Sequence, residues 1–66
     1  MRLTVNGQVR DQPAGQTLRQ LVEQMGMDKA VIAVEINRRL VPRRDHEATR
    51  LNDGDEVEVV TLVGGG

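Results

Sequence analysis

The stretch Glu56-Val57-Glu58-Val59-Val60-Thr61-Leu62 decides how the sequence is read. It is entered through Asn52-Asp53-Gly54-Asp55 and followed by Val63-Gly64-Gly65-Gly66. The Asn-Asp-Gly-Asp run is a turn signal, because Asn and Asp hydrogen-bond to nearby backbone and Gly supplies a positive φ. The alternation after it has the period of a strand. Val57 and Val59 share one face with Thr61, while Val60 and Leu62 fall on the opposite face with Glu58. The strand therefore starts apolar on one side and ends apolar on both. Either another part of the chain covers Val60 and Leu62, or they form an exposed patch for a partner. The alternation leaves both readings open.

Upstream, the elements follow in a compact order. Leu3 and Val5 alternate with Arg2 and Thr4, then Asn6-Gly7 supplies a two-residue hairpin turn. Both central positions of such a turn need positive φ, which Asn and Gly tolerate best. Residues 8–11 return as a second strand, with Val9 as its expected apolar contact. Gln12-Pro13-Ala14-Gly15 breaks regular structure. Thr17 is an N-cap and Gln20, three residues on, its capping-box partner. Leu18, Leu21, Val22 and Met25 then share one face of a helix of nine or ten residues that Gly26 ends. Residues 31–36 are rich in β-branched side chains and read as a strand, with Ile32, Val34 and Ile36 on one face. Lys29 marks the turn before it. Asn37-Arg38-Arg39 is a turn and Leu40-Val41 a very short strand. Residues 43–52 are polar and irregular, anchored by Leu51. This order predicts a small α+β domain, one helix across a mixed sheet, in which the first and last strands can run parallel at the centre.

Composition narrows the function. The chain has 66 residues, 38% hydrophobic, with a net charge of −1. That length supports one domain, and such a chain buries only about 60% of its unfolded surface. There is no Cys, Ser, Phe, Tyr or Trp. Disulfides, thiolate metal sites and a Ser or Cys nucleophile are thereby excluded, and a self-contained enzyme is not expected. Near-neutral charge without aromatics gives neither phosphate attraction nor a stacking platform, so no nucleic-acid role is expected. The longest apolar run, residues 30–34, is far below the roughly 20 residues of a membrane span. No signal peptide is visible at the start. The lack of cysteine fits a reducing, cytoplasmic setting. His46 has no ligand-spaced partner and reads as an exposed, inert residue in a polar loop, not a metal ligand.

The glycine end is the chemical feature. Glycines pack nothing and are costly to order, so residues 63–66 are expected to be a flexible tail behind a domain of residues 1–62. A Gly66 carboxylate on a thin arm can thread into another protein's active site. Nothing crowds its carbonyl, and an activated acyl glycine has no chiral centre to racemise. A floppy terminus without function is the plainer explanation of the same glycines.

Several runs carry a resemblance: Asn6-Gly7, Ala14-Gly15-Gln16-Thr17-Leu18-Arg19-Gln20-Leu21, Ala33-Val34-Glu35-Ile36-Asn37, Val41-Pro42-Arg43, Asn52-Asp53-Gly54-Asp55-Glu56-Val57 and Gly65-Gly66. Taken in order over the whole chain, they resemble the ThiS sulfur-carrier family, small proteins of the ubiquitin-like β-grasp fold. Each motif alone is weak; the joint order, the length and the terminal Gly-Gly are specific. The resemblance implies a small mixed sheet of four to five strands with one main helix packed across it. It also implies a carrier and not an enzyme, monomeric by itself and with no permanently bound cofactor. A ThiF-type adenylating enzyme would use ATP and Mg²⁺ to convert the Gly66 carboxylate to an acyl adenylate. Sulfur from a donor fed by a cysteine desulfurase would then give a thiocarboxylate, for delivery to a ThiG-type thiazole synthase in thiamine biosynthesis. Gly64 and Gly65 would form the reach, and Val60, Leu62 and Val63 would lie against the partner enzyme. Arg38, Arg39, Arg43 and Arg44, and Asp53, Asp55, Glu56 and Glu58, are candidates for steering that docking, although plain solvated charge is the readier explanation of any single one of them. Two alternatives stay open: a carrier for another pathway (molybdopterin, cysteine or another sulfur metabolite), and a β-grasp interaction module that does not use its chain end.

Overall fold

The computed structural model describes residues 1–62; the expected tail, Val63, Gly64, Gly65 and Gly66, lies outside the described residues. The chain opens with strand β1 (Arg2–Val5), turns through Asn6-Gly7 and returns as β2 (Gln8–Asp11). Asn6 and Gly7 have φ of 50° and 80°, as a two-residue hairpin turn requires. This turn fixes the register: Val5 faces Gln8, Thr4 faces Val9 and Leu3 faces Arg10. Val9 therefore shares the face of Thr4, away from the core, and is 63% exposed. The expectation that Val9 supplies an apolar contact is wrong for that reason, and Arg10 lies over the core side instead.

Helix α1 spans Leu18–Gln24, shorter than expected. Its start carries the full capping box: the Gln20 N–H donates to the Thr17 hydroxyl and the Thr17 N–H to the Gln20 amide oxygen. Its end is set by Gly26 at φ 74°. The Gly26 N–H donates to the Glu23 carbonyl and the Met27 N–H to the Val22 carbonyl, closing the helix in the left-handed cap expected at Gly26. Leu18, Leu21 and Val22 are buried, while Met25 and Met27 pack on the core's edge. A helix this short is not stable alone; packing on the sheet holds it.

After a turn that includes Lys29 come β3 (Ile32–Ile36), β4 (Arg39–Leu40), a 3₁₀ turn (Arg43–Asp45) and β5 (Glu56–Thr61). The sheet has five strands in the order β2-β1-β5-β3-β4. β5 sits at its centre, parallel to β1 and antiparallel to β3. This is the expected mixed α+β sheet with its first and last strands side by side. Leu3, Val5, Val34, Val57 and Val59 face inward and, with Leu18, Leu21, Val22 and Leu51, make the core.

The polar segment before β5 is better tied than its sequence suggests. His46 is only 3% exposed, contrary to the expectation of an exposed loop residue. Its Nε2 lies 3.0 Å from the Val41 carbonyl oxygen, and its own carbonyl accepts the Arg19 N–H at 3.1 Å. The Leu18 N–H donates to the Thr49 carbonyl at 2.8 Å. The segment thus satisfies first-turn N–H groups of α1 that have no partner inside the helix. Burial of His46 follows from that role.

Leu21→Ala is expected to destabilise the domain by about 2–5 kcal/mol in urea unfolding, because it empties a fully buried site. Leu62→Ala, on an exposed side chain, is expected to stay within about 0.5 kcal/mol of the parent.

Candidate functional site on the outer face of the sheet

Helix α1 and the 46–51 segment cover one face of the sheet, and nothing among the described residues covers the opposite face. Along β5, inward Val57 and Val59 alternate with outward Glu56, Glu58 and Val60, and Leu62 follows on the outward side. Val60 is 53% and Leu62 61% exposed, which decides between the two readings of this strand: nothing among the described residues covers them. Register adds neighbours that sequence reading did not group with them. Ala33 of β3 lies directly opposite Val60. The Leu62 N–H donates to the Val31 carbonyl at 2.9 Å, so the ladder runs one residue past both strands and brings exposed Val31 beside Leu62. Val31, Ala33, Val60 and Leu62 form an apolar strip beside the last described residues. Of the expected partner-facing residues, Val60 and Leu62 are together in this strip; Val63 lies outside the described residues.

Two acidic side chains adjoin the strip. Glu35 and Glu58 are direct cross-strand partners, with Leu40 on the far side of Glu35 and Glu56 further along β5. The other charges proposed for steering are divided by the structure. Asp53 accepts the Arg2 N–H at 2.7 Å, and Asp55 accepts the Asn52 N–H at 2.8 Å and the Asn37 side-chain amide at 3.0 Å. Both aspartates therefore build the turn into β5. The Arg43 guanidinium donates to the carbonyls of Ala30 and Asp28 and pins the loop before β3. Arg38, Arg39 and Arg44 are exposed, with Arg38 at φ 69° on the tip of the β3–β4 turn. No group of three or more His, Cys, Asp or Glu among the described residues is placed to hold a metal ion.

Asn6 is a site residue that sequence reading assigned to the turn alone. β1 stops at Val5, while β5 runs on beside it. There the Asn6 side chain continues the pairing: its Oδ1 accepts the Val59 N–H at 2.8 Å and its Nδ2 donates to the Val59 carbonyl at 3.2 Å. One side chain thus replaces the missing strand and fixes the backbone next to Val60. Its turn role already accounts for an Asn at this position, so the sequence gives no separate signal of the clamp.

A family model described as the ThiS family matches residues 3–66. The chain belongs to the ThiS family. It is 33% identical to the sulfur carrier protein ThiS of Escherichia coli (strain K12) over the full length of both chains. A crystal structure of a thiamine biosynthesis protein (ThiS) from Geobacter metallireducens superimposes with a TM-score of 0.83 at 33% identity, again covering all of both chains. The ubiquitin-like β-grasp architecture implied by the sequence motifs is therefore the fold of this ThiS-family chain. It is also 38% identical, over all 66 residues, to a thiazole synthase of Paramagnetospirillum magneticum. There the match spans only 20% of that protein's length. No helix of the described residues is long and apolar enough to cross a membrane.

Asn6→Gly keeps a residue suited to positive φ but removes the clamp. The Val59 amide is then left without its partner, so stability should fall by about 1–3 kcal/mol in urea unfolding. Hydrogen exchange should show the greatest loss of protection at the Val59 amide.

Proposed function

We propose that this ThiS-family chain carries sulfur as a thiocarboxylate on Gly66 for thiazole formation in thiamine biosynthesis. The observation that carries the reading is the end-to-end match to the sulfur carrier protein ThiS of Escherichia coli, which extends through the final glycines. The thiazole synthases whose sequences include a segment similar to this whole chain support the choice of acceptor. Gly66 is the reacting residue, Gly64 and Gly65 give it reach, and Val60, Leu62 and Val63 form the surface that holds the partner.

A carboxylate is a poor acyl donor, so activation comes first. A ThiF-type adenylating enzyme supplies ATP and Mg²⁺, whose charge offsets that of the phosphates during transfer. A Gly66 carboxylate oxygen attacks the α-phosphorus, pyrophosphate leaves, and an acyl adenylate remains. The outer sulfur of a persulfide, replenished by a cysteine desulfurase, then attacks the glycyl carbonyl and displaces AMP. A thiol cleaves the resulting acyl disulfide, is itself oxidised to a disulfide, and leaves the thiocarboxylate. No step requires a catalytic side chain from this chain: it acts as a co-substrate. A ThiG-type thiazole synthase takes the sulfur, and the carrier works in the cytoplasm with these enzymes.

Incubation with the adenylating enzyme, ATP, Mg²⁺ and a persulfide donor should raise the intact mass by the difference between sulfur and oxygen. The change should map to Gly66. Removing Gly65 and Gly66 should abolish it while leaving the urea unfolding curve unchanged. An unmodified wild-type chain, or modification at another residue, overturns the reading. Retained biological function after that deletion would instead favour an interaction module.

A further inference from the structure

Glu35 and Glu58 face each other directly across β3 and β5 on the outer face of the sheet. Like charges at directly opposed positions oppose strand pairing, because their side chains emerge roughly 4.5–5.5 Å apart. Among the described residues no salt bridge relieves this repulsion. Among the described residues the ion pairs are Arg2–Asp11 and Arg19–Glu23, and neither involves this pair. Glu56 adds a third carboxylate two residues along the same face of β5. Flanking them, Val60 and Ala33 form the next row on one side, and Leu40 stands beside Glu35 on the other. An unrelieved local conflict within an apolar surface has the character of a functional site, where stability is given up for recognition.

The charge pattern selects the occupant. A second copy docked on this face about a two-fold axis would bring one row of carboxylates toward another, which disfavours self-association through the strip. A surface with apolar side chains around a cationic one complements it. A guanidinium, with its fork of N–H donors, can serve two carboxylates at once, and their mutual repulsion then becomes attraction to a common partner. We propose that the Glu35–Glu58 pair is the electrostatic recognition element of the docking face, receiving an arginine or lysine of the adenylating enzyme while Val60 and Leu62 make the adjoining apolar contact. This rests on the carrier reading and specifies how the carrier is gripped. Exclusion of water at the apolar strip strengthens the charged contact beside it.

The test is ATP–pyrophosphate exchange by the adenylating enzyme, with the full chain as substrate, over a series of salt concentrations. Glu35→Gln and Glu58→Gln should each raise KM several-fold with kcat maintained, and should flatten its dependence on salt. Their urea midpoints should equal or exceed that of the parent, since each removes a repulsion. Glu47→Gln makes the same charge change on an exposed residue beside the helix and should leave KM and its salt dependence as they were. Exchange with unchanged KM and salt dependence in both sheet variants overturns the recognition role and leaves the carrier reading intact. Absence of exchange with the wild-type chain overturns both.

Discussion

The pairing of β5 with strands on both its sides is the constraint on which the rest of the structure depends. β1 and β3 do not touch each other; each reaches the sheet through β5. The inward Val57 and Val59 place that strand in the core, and the turn built by Asp53 and Asp55 sets its starting point. With no aromatic residue to fill space, the core relies on nine aliphatic side chains that must meet from strands, helix and loop alike. Alternation along the same strand then determines what faces outward. Holding Val57 and Val59 inside obliges Glu58 and Val60 to point out. Core packing and the composition of the sheet's outer face are consequently two aspects of one strand's phase.

Much of this was legible in the sequence. Thr17 and Gln20 announced the helix start because their capping box is a local interaction, complete within four residues. The alternation of Leu3 with Val5, and of Val57 with Val59, gave the inward faces for the same reason. Val9 was legible but misread: counting outward from a two-residue Asn6-Gly7 turn pairs it with Thr4 and places it outside. The end of the helix was legible too, since Gly26 takes the left-handed conformation that closes it, with Met25 as the cap residue just before.

What sequence could not show depends on contacts between distant segments. His46 looks like a loop residue because its neighbours are polar, yet its burial comes from backbone carbonyls of that loop meeting the N-terminus of α1. Val60 and Leu62 were ambiguous since a strand that turns apolar on both sides says nothing about which side is covered. Only strand order places Val31 and Ala33 beside them and Glu35 against Glu58. Asn6 concealed its second role behind its first. In the site as in the fold, local chemistry was readable and the cross-strand juxtapositions that give it meaning were not.

The central position of β5 has a consequence for the newborn polypeptide. A chain synthesised only as far as residue 55 has two hairpins and a helix but no strand to unite them. Neither half can cover its apolar side, so the domain closes only after its last strand has left the ribosome. A prematurely terminated product thus lacks both the outward side chains of β5 and the five-stranded sheet that would display them.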